Sequence, residues 1–322
     1  MLYPLTFHPI LKDRVWGGRK LEKLFHKPLP PRVPIGESWE ISDRAGDLSV
    51  IANGTLAGKD LHWLVENYRC ELLGTAKLHN GRFPLLIKIL DAREKLSLQV
   101  HPPSDVAAKL GGDAKTELWY IVDAEPAAEL YVGFKQGVTR TEFQQRIEAG
   151  TVENCVHRLG VQAGDAMFIP SGRLHAIGAG IVLFEIQQNS DTTYRVFDWN
   201  RLGLDGKPRP LHLAESIASI DFSDFEPAFV GREYEASRHI KSRLLASDPL
   251  FTVKLIEVEP QGTVRLPEGM SIIGVTTGRV TINDGTVSVQ LQKGQFSLIP
   301  AEIRAEISTP AQASFILVQS GE

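Results

Sequence analysis

The segment Lys95-Leu96-Ser97-Leu98-Gln99-Val100-His101 alternates between apolar and polar residues. On a strand, Leu96, Leu98 and Val100 take one face, and Ser97, Gln99 and His101 the other. Three polar side chains on one face are costly against a dry core, where each would lack a partner. They suit a wet or metal-bearing cavity. Further on, Lys115-Thr116-Glu117 sets an ammonium and a carboxylate on a common strand face. Gly164, Pro170, Gly172 and His175 stand at G-x5-P-x-G-x2-H spacing. The first glycine permits a tight turn into a strand. The proline and second glycine shape the next turn, and His175 opens the strand that follows, facing inward. Gln99, His101, Glu117 and His175 thus form a candidate four-donor metal site. Two imidazoles, one carboxylate and one amide oxygen suit Zn²⁺, and Fe²⁺ or Mn²⁺ would also fit. With a single carboxylate the site keeps net positive charge, attracts anionic oxygens and polarises a carbonyl.

These side chains need short strands to hold them, and the chain supplies many. Apolar runs such as Phe83–Leu90, Leu118–Val122, Ala166–Ile169, Ile181–Ile186, Phe251–Val258 and Phe315–Val318 are separated by Gly, Pro, Asn and Asp. Many short strands at even spacing predict a mainly β fold, a sandwich or barrel. Helical signals are fewer. Leu61, Leu64, Val65, Tyr68 and Leu72 fall on one helical face between Lys59 and Thr75, with Asp60 as cap. Thr139–Ala149, Ser104–Leu110 and Leu213–Ile220 are further helix candidates.

The polar, weakly periodic stretch Asp221–Ser242 reads as a connection. It divides the chain into residues 1–235, which carry the candidate site, and a smaller β-rich unit, residues 236–322. A weak internal repeat relates the two: Gly164–Pro170 (GDAMFIP) has a counterpart in Gly294–Pro300 (GQFSLIP). In the second copy, Ala305 stands where His175 stands in the first.

Composition narrows the function classes. The 322 residues are 43% hydrophobic and 23% charged, with a formal net charge of −4, as in an ordered globular protein. A weakly acidic chain has no general attraction for nucleic acid or an anionic membrane, so an anionic ligand needs a local group of cations. The start, MLYPLTFHPILKDRVWGG, has no basic stretch followed by an apolar core, and no apolar run is long enough to span a membrane. Cys70 and Cys155 form no CxxC pair and read as two buried free thiols. The expectation is a soluble, cytoplasmic protein, a monomer or small homo-oligomer. His8, His26, His62, His79, His157, His212 and His239 have no ligand context and read as structural.

The spacing around His175 resembles the second motif of the cupin superfamily. Beyond it, LSLQVHP (Leu96–Pro102), KTELWY (Lys115–Tyr120), PSGRLHAIG (Pro170–Gly178) and EIQQNSDTTYRVFDW (Glu185–Trp199) resemble the type I mannose-6-phosphate isomerase family. WGG (Trp16–Gly18) and IGESWEIS (Ile35–Ser42) resemble its short bacterial branch. The resemblance covers roughly the first two hundred residues, in motif order. It implies a cupin, or jelly-roll, barrel with a few peripheral helices and a smaller, degenerate cupin-like β domain without metal ligands. It implies one Zn²⁺ per chain, held by Gln99, His101, Glu117 and His175, and a sugar phosphate as substrate. It also carries over Arg195 as an active-site arginine, Lys115 as the lysine beside the ligand carboxylate, and Ser97 and Lys88 as phosphate-binding positions. The longer enzymes' helical insertion is absent, so its contacts do not transfer.

The implied reaction interconverts D-mannose 6-phosphate and D-fructose 6-phosphate through an enediol. It needs a base, an electrophile and a phosphate anchor. Lys115, expected to have a lowered pKa beside a cation, is the first candidate for proton transfer. Glu185 is the second, and Asp191 a residue that orients a neighbour or the substrate. Lys88, inside the apolar Leu85–Leu90, needs an anionic partner. Two competing readings share the donor set: an iron-dependent cupin dioxygenase and a non-catalytic sugar-binding cupin.

Overall fold

The computed structural model describes residues 1–321. Up to Phe197 the chain lays down β1 (Ile10–Gly18), β2 (Ile35–Ile41), the small ribbon β3 (Asp43–Arg44) and β4 (Asp47–Leu48), β5 (Leu85–Ala92), β6 (Leu98–Val100), β7 (Glu117–Ala124), β8 (Glu129–Phe134), β9 (Val156–Gly160), β10 (Ala166–Ile169), β11 (His175–Ile177), β12 (Ile181–Gln188) and β13 (Tyr194–Phe197). Two antiparallel sheets result. One has the order β1-β2-β5-β12-β7-β10 and the other β13-β6-β11-β8-β9.

The sheets face one another. Leu90, Trp119, Ile121, Met167, Ile169 and Leu183 from the first pack against Leu130, Val132 and Ile177 from the second. No backbone pairing joins their edges among the described residues, so the expected barrel is an open two-sheet jelly roll. The outer face of the five-stranded sheet is covered by the helix Arg140–Glu148, through Phe143, and the helix Leu213–Ser219, through the partly buried Ile217.

From Glu235 onward ten strands form sheets of six and four, apart from the first unit's sheets. The six-stranded sheet runs Glu235–Ser237, Ile240–Ser247, Phe251–Val258, Ala313–Ser320, Ser271–Thr277, Phe296–Ile299. That order matches the first large sheet strand for strand, with Phe296–Ile299 in the place of β10. The GDAMFIP and GQFSLIP segments are therefore equivalent edge strands, each entered through a left-handed glycine, Gly164 (φ 88°) or Gly294 (φ 79°). The second interior is closed by Ile273, Val275, Val280, Ile282, Ile307 and Phe315, and Ala305 lies within this apolar cluster. No metal-ligating group occupies the position of His175.

The two large sheets share a core. Ile87, Leu118, Phe184 and Ile186 pack with Phe251, Ile272, Phe296 and Val318, together with the helical residues Leu61, Leu64 and Leu72. The chain start seals this junction. Leu5 and Leu298 exchange both backbone hydrogen bonds at 2.9 Å, and Ser297 Oγ donates to Leu5 O.

Two local expectations need correction. The single helix expected between Lys59 and Thr75 is two helices, Leu61–Asn67 and Arg69–Leu73. Asp60 caps the first by accepting from Trp63 N at 2.8 Å, but Tyr68 leaves helical geometry (φ −137°, ψ 34°) and turns the chain. Both cysteines are unpaired, but Cys70 is exposed, because Leu72 and Leu73 form the inner face of its helix; only Cys155 is buried.

Candidate metal centre and active site

Strand pairing brings the candidate donors together. His175, at the start of β11, lies opposite Gln99 on β6. Glu117 opens β7 in the facing sheet, and His101 follows β6 directly. Ligand atoms of His101, Glu117 and His175 all lie within 4.8 Å of one another, and all three residues are buried. The two imidazole centroids are 4.8 Å apart. Gln99 Nε2 is 3.3 Å from His175 Nε2, and Ser97 Oγ donates to Gln99 Oε1 at 3.2 Å. A half-turn of the amide about its terminal torsion presents the oxygen to the same point.

The hydrogen bonding of these groups fits a cation. His101 Nδ1 is 2.8 Å from Thr192 O, and His175 Nδ1 is 2.9 Å from Arg173 O. A carbonyl accepts only, so each Nδ1 carries the proton and each Nε2 turns a lone pair inward. His101 Nε2 and Glu117 Oε2 are buried without a hydrogen-bond partner, and Glu117 Oε1 meets only His101 Nε2 at 3.0 Å and the Lys115 ammonium at 2.5 Å. Buried polar atoms this close rarely stay unsatisfied unless an ion or water completes them. Burial pushes the His175 pKa down to about 3 and lowers that of His101, so both rings are neutral donors at pH 7. Glu117 is held well below the ordinary carboxylate range: burial opposes this, and Lys115 and His101 outweigh it.

A row of side chains crosses the inner face of the large sheet beside these donors. Trp39 lies opposite Lys88, Lys88 opposite Glu185, and Glu185 opposite Trp119. Lys88 Nζ is 3.1 Å from Glu185 Oε1, which answers the need for an anionic partner, and 5.2 Å from the Trp39 ring centroid. Trp119 Nε1 donates to Glu185 Oε2 at 3.2 Å. Lys115 Nζ reaches Glu117 at 2.5 Å and Glu185 at 3.9 Å. The protein's own groups act on the Lys115 pKa against the fall expected beside a cation. Burial alone would lower it, but Glu117 and Glu185 raise it, and the side chain is an ammonium.

A cavity of about 620 Å³ opens above this row and is lined by Lys88, Ser97, Gln99, Lys115, Glu185, Asp191 and Arg195. Every sequence-selected residue therefore either lines the cavity or lies in the buried donor cluster beside it. Asp191 is exposed at the rim, where its charge helps raise the Lys115 pKa. Arg195 is less buried than the lysines; its Nη1 donates to Pro210 O at 2.7 Å, while Nε has no partner.

The cavity also holds groups not selected from the sequence. Arg14 grips Glu37 with two hydrogen bonds, at 3.2 and 3.0 Å, and Trp39 Nε1 donates to Glu37 at 2.7 Å. Burial would raise the Glu37 pKa, but Lys88 and Arg14 hold it lowered. The alternation in Ile35–Ile41, with Glu37 and Trp39 on one face, was a usable signal. Arg209, which also lines the cavity, shares Asp198 with Arg201. That cluster lies in a turn-rich loop where no periodicity marks it.

Comparisons with known proteins give the family. A model of the phosphomannose isomerase type I catalytic domain matches residues 5–145. The mannose-6-phosphate isomerase of Streptococcus mutans serotype c is 35% identical over 306 residues, 95% of each chain. The chain belongs to the type I phosphomannose isomerase family. As a member of that family it is an enzyme, as the sequence resemblance implied. ManA, a mannose-6-phosphate isomerase of Bacillus subtilis, is 36% identical over 92% of this chain and 93% of its own. The crystal structure of a Bacillus subtilis mannose 6-phosphate isomerase superposes with a TM-score of 0.89 at 31% identity, covering 99% of this chain and 100% of the other. The mainly β, cupin-type fold of the phosphomannose isomerases is thereby shown for the whole described chain.

Proposed function

We propose that the enzyme interconverts D-mannose 6-phosphate and D-fructose 6-phosphate through an enediol, with one divalent metal ion per chain, Zn²⁺ by preference. The observation that carries this reading is the buried His101–Glu117–His175 cluster, completed by Gln99, beside a cavity lined by Gln99, Lys88, Lys115, Glu185 and Arg195. Two nitrogen donors, a carboxylate and an amide oxygen suit zinc. A bound ion polarises the sugar's carbonyl and adjacent hydroxyl oxygens.

The residues divide the remaining work. Glu185 is held between Lys88 and Trp119, so its carboxylate is fixed in place; we assign it to carrying the proton between C2 and C1. The raised pKa of Lys115 suits an ammonium that faces the developing oxyanion and holds a proton near it. Asp191 keeps that ammonium charged from the rim. The phosphate is assigned to the part of the cavity lined by Ser97 and Arg209, since Glu185 already neutralises Lys88. A guanidinium remains charged at any working pH and binds phosphate through a planar fork. Arg195 and Lys115 are then the protein's own electrophiles. We place the enzyme in the cytoplasm, which fits its two unpaired thiols. Among the described residues no helix is long and apolar enough to cross a membrane.

The test is a coupled isomerase assay on several hexose 6-phosphates, before and after removal of metal with a chelator. The reading expects turnover of mannose 6-phosphate, its loss on chelation and its recovery with zinc. Undiminished turnover in metal-free protein would overturn it.

A further inference from the structure

Strand β2 is polar on both faces. Glu37 and Trp39 face the catalytic row, so Ser38 and Glu40 point the opposite way. A strand backed by a dry core has no use for a serine and a glutamate there. Glu40, with the fully buried Ser38 behind it, borders a second cavity of about 640 Å³, between the first unit and the outer edge of the four-stranded sheet. Lys27 and Glu40 both line it, each more than nine-tenths buried, with Nζ and Oε1 2.7 Å apart. Ser38 Oγ donates to the same Oε1 at 2.6 Å. Among the described residues Glu40 is the ammonium's one polar partner, so two of its three N–H bonds stay available to the cavity. A buried ion pair is seldom more stabilising than the apolar side chains that could replace it. Its presence beside a cavity calls for another role.

The geometry points to a second ligand site here, one that takes a neutral polyhydroxylated molecule, a monosaccharide without a phosphate. The ammonium and carboxylate cancel, so the cavity offers neither a free anion nor a free cation a net attraction. A hydroxyl group donates and accepts at once, which matches an ammonium and a carboxylate side by side. The rings of Phe7 and Phe25 supply apolar walls for the C–H face of a sugar. The volume lies within the usual range for small-molecule sites. The inference does not depend on the catalytic reading, because the two cavities lie on opposite faces of β2.

The experiment is titration of the zinc-loaded full chain with D-mannose, followed by ligand-observed NMR and calorimetry. Weak binding, with Kd on the order of 1–10 mM, is expected. Gln290→Trp fills the cavity from an outward-facing position on the strand Ser288–Gln292. It is expected to weaken binding by about tenfold or more while melting like the parent. Ser288→Trp does the same from the neighbouring outward position if the first variant does not fold. Saturating mannose 6-phosphate is expected to leave the bound mannose in place. Displacement by mannose 6-phosphate, unaltered binding in the cavity-filled variant, or no binding at about 100 mM would each overturn the proposal.

Discussion

Replacing His175 by alanine tests the centre most directly. The ring is fully buried, edge-on to Trp119 at 5.3 Å, with Nδ1 anchored on Arg173 O and Nε2 turned toward Gln99 and the other donors. Four-donor zinc sites bind with about 10–16 kcal/mol of apparent free energy at pH 7. Shared equally, each donor is worth about 3 kcal/mol, which corresponds to a zinc Kd raised on the order of 100- to 200-fold. The alanine also leaves a cavity beside Trp119, at a cost to folding of about 2–4 kcal/mol. Two measurements separate these effects. Competition with a chromogenic chelator reads zinc affinity, and urea unfolding with and without zinc reads stability. The expected pattern is a large loss of affinity, a smaller stabilisation by zinc and a parallel loss of isomerase activity. A folded His175→Ala protein that binds zinc within about threefold of the parent would refute the assignment.

Other expectations follow from the same geometry. Arg195→Ala keeps its zinc but loses turnover by about 2–4 kcal/mol of barrier, read by metal content and steady-state rates on the same sample. Glu185→Gln leaves Lys88 buried without its partner and destabilises the fold by about 3–5 kcal/mol, whereas the double variant with Lys88→Met recovers part of that loss in urea titrations. Lys115→Met retains zinc and lowers kcat about 100-fold or more with little change in KM; a change confined to KM would argue against its role in the transition state. The metal-free protein loses stability on acidification. His175 has a folded pKa of about 3 against an ordinary value of 6.5, so below pH 6.5 the unfolded chain takes up protons that the folded chain does not. The His175 contribution is complete above about pH 6.5 and falls by about 2 kcal/mol by pH 5, measurable by urea unfolding at the two pH values.

The donor set was legible because strand geometry imposes a period of two, and Ser97, Gln99 and His101 obey it next to an apolar Leu96, Leu98 and Val100. His175 was legible because turns constrain glycine and proline positions. The same logic applied to β2 would have found Glu37 and Trp39, but aromatic and acidic residues on one strand face also read as an ordinary wall. The pairing of Lys88 with Glu185 required the register between β5 and β12, which a sequence does not display. Arg209 and Asp198 come together through a loop without periodicity. The approach of Lys115 to Glu185, at 3.9 Å, joins residues on separate strands and was likewise not legible. The opening of the jelly roll follows from edge strands whose partners are set by tertiary packing, so alternation alone could not exclude a closed barrel.

The bonds between Leu5 and Leu298 set a timetable for biosynthesis. Leu5 is made 293 residues before its partner. At about 5–20 residues per second, that is a delay of roughly 15–60 s. The strands that carry the donors can gather while translation continues, but the segment around Leu5 lacks its partner until residue 298 has emerged. Closure of this junction therefore waits for a distant part of the chain, and a nascent chain stalled before residue 298 would leave the segment around Leu5 open to proteases.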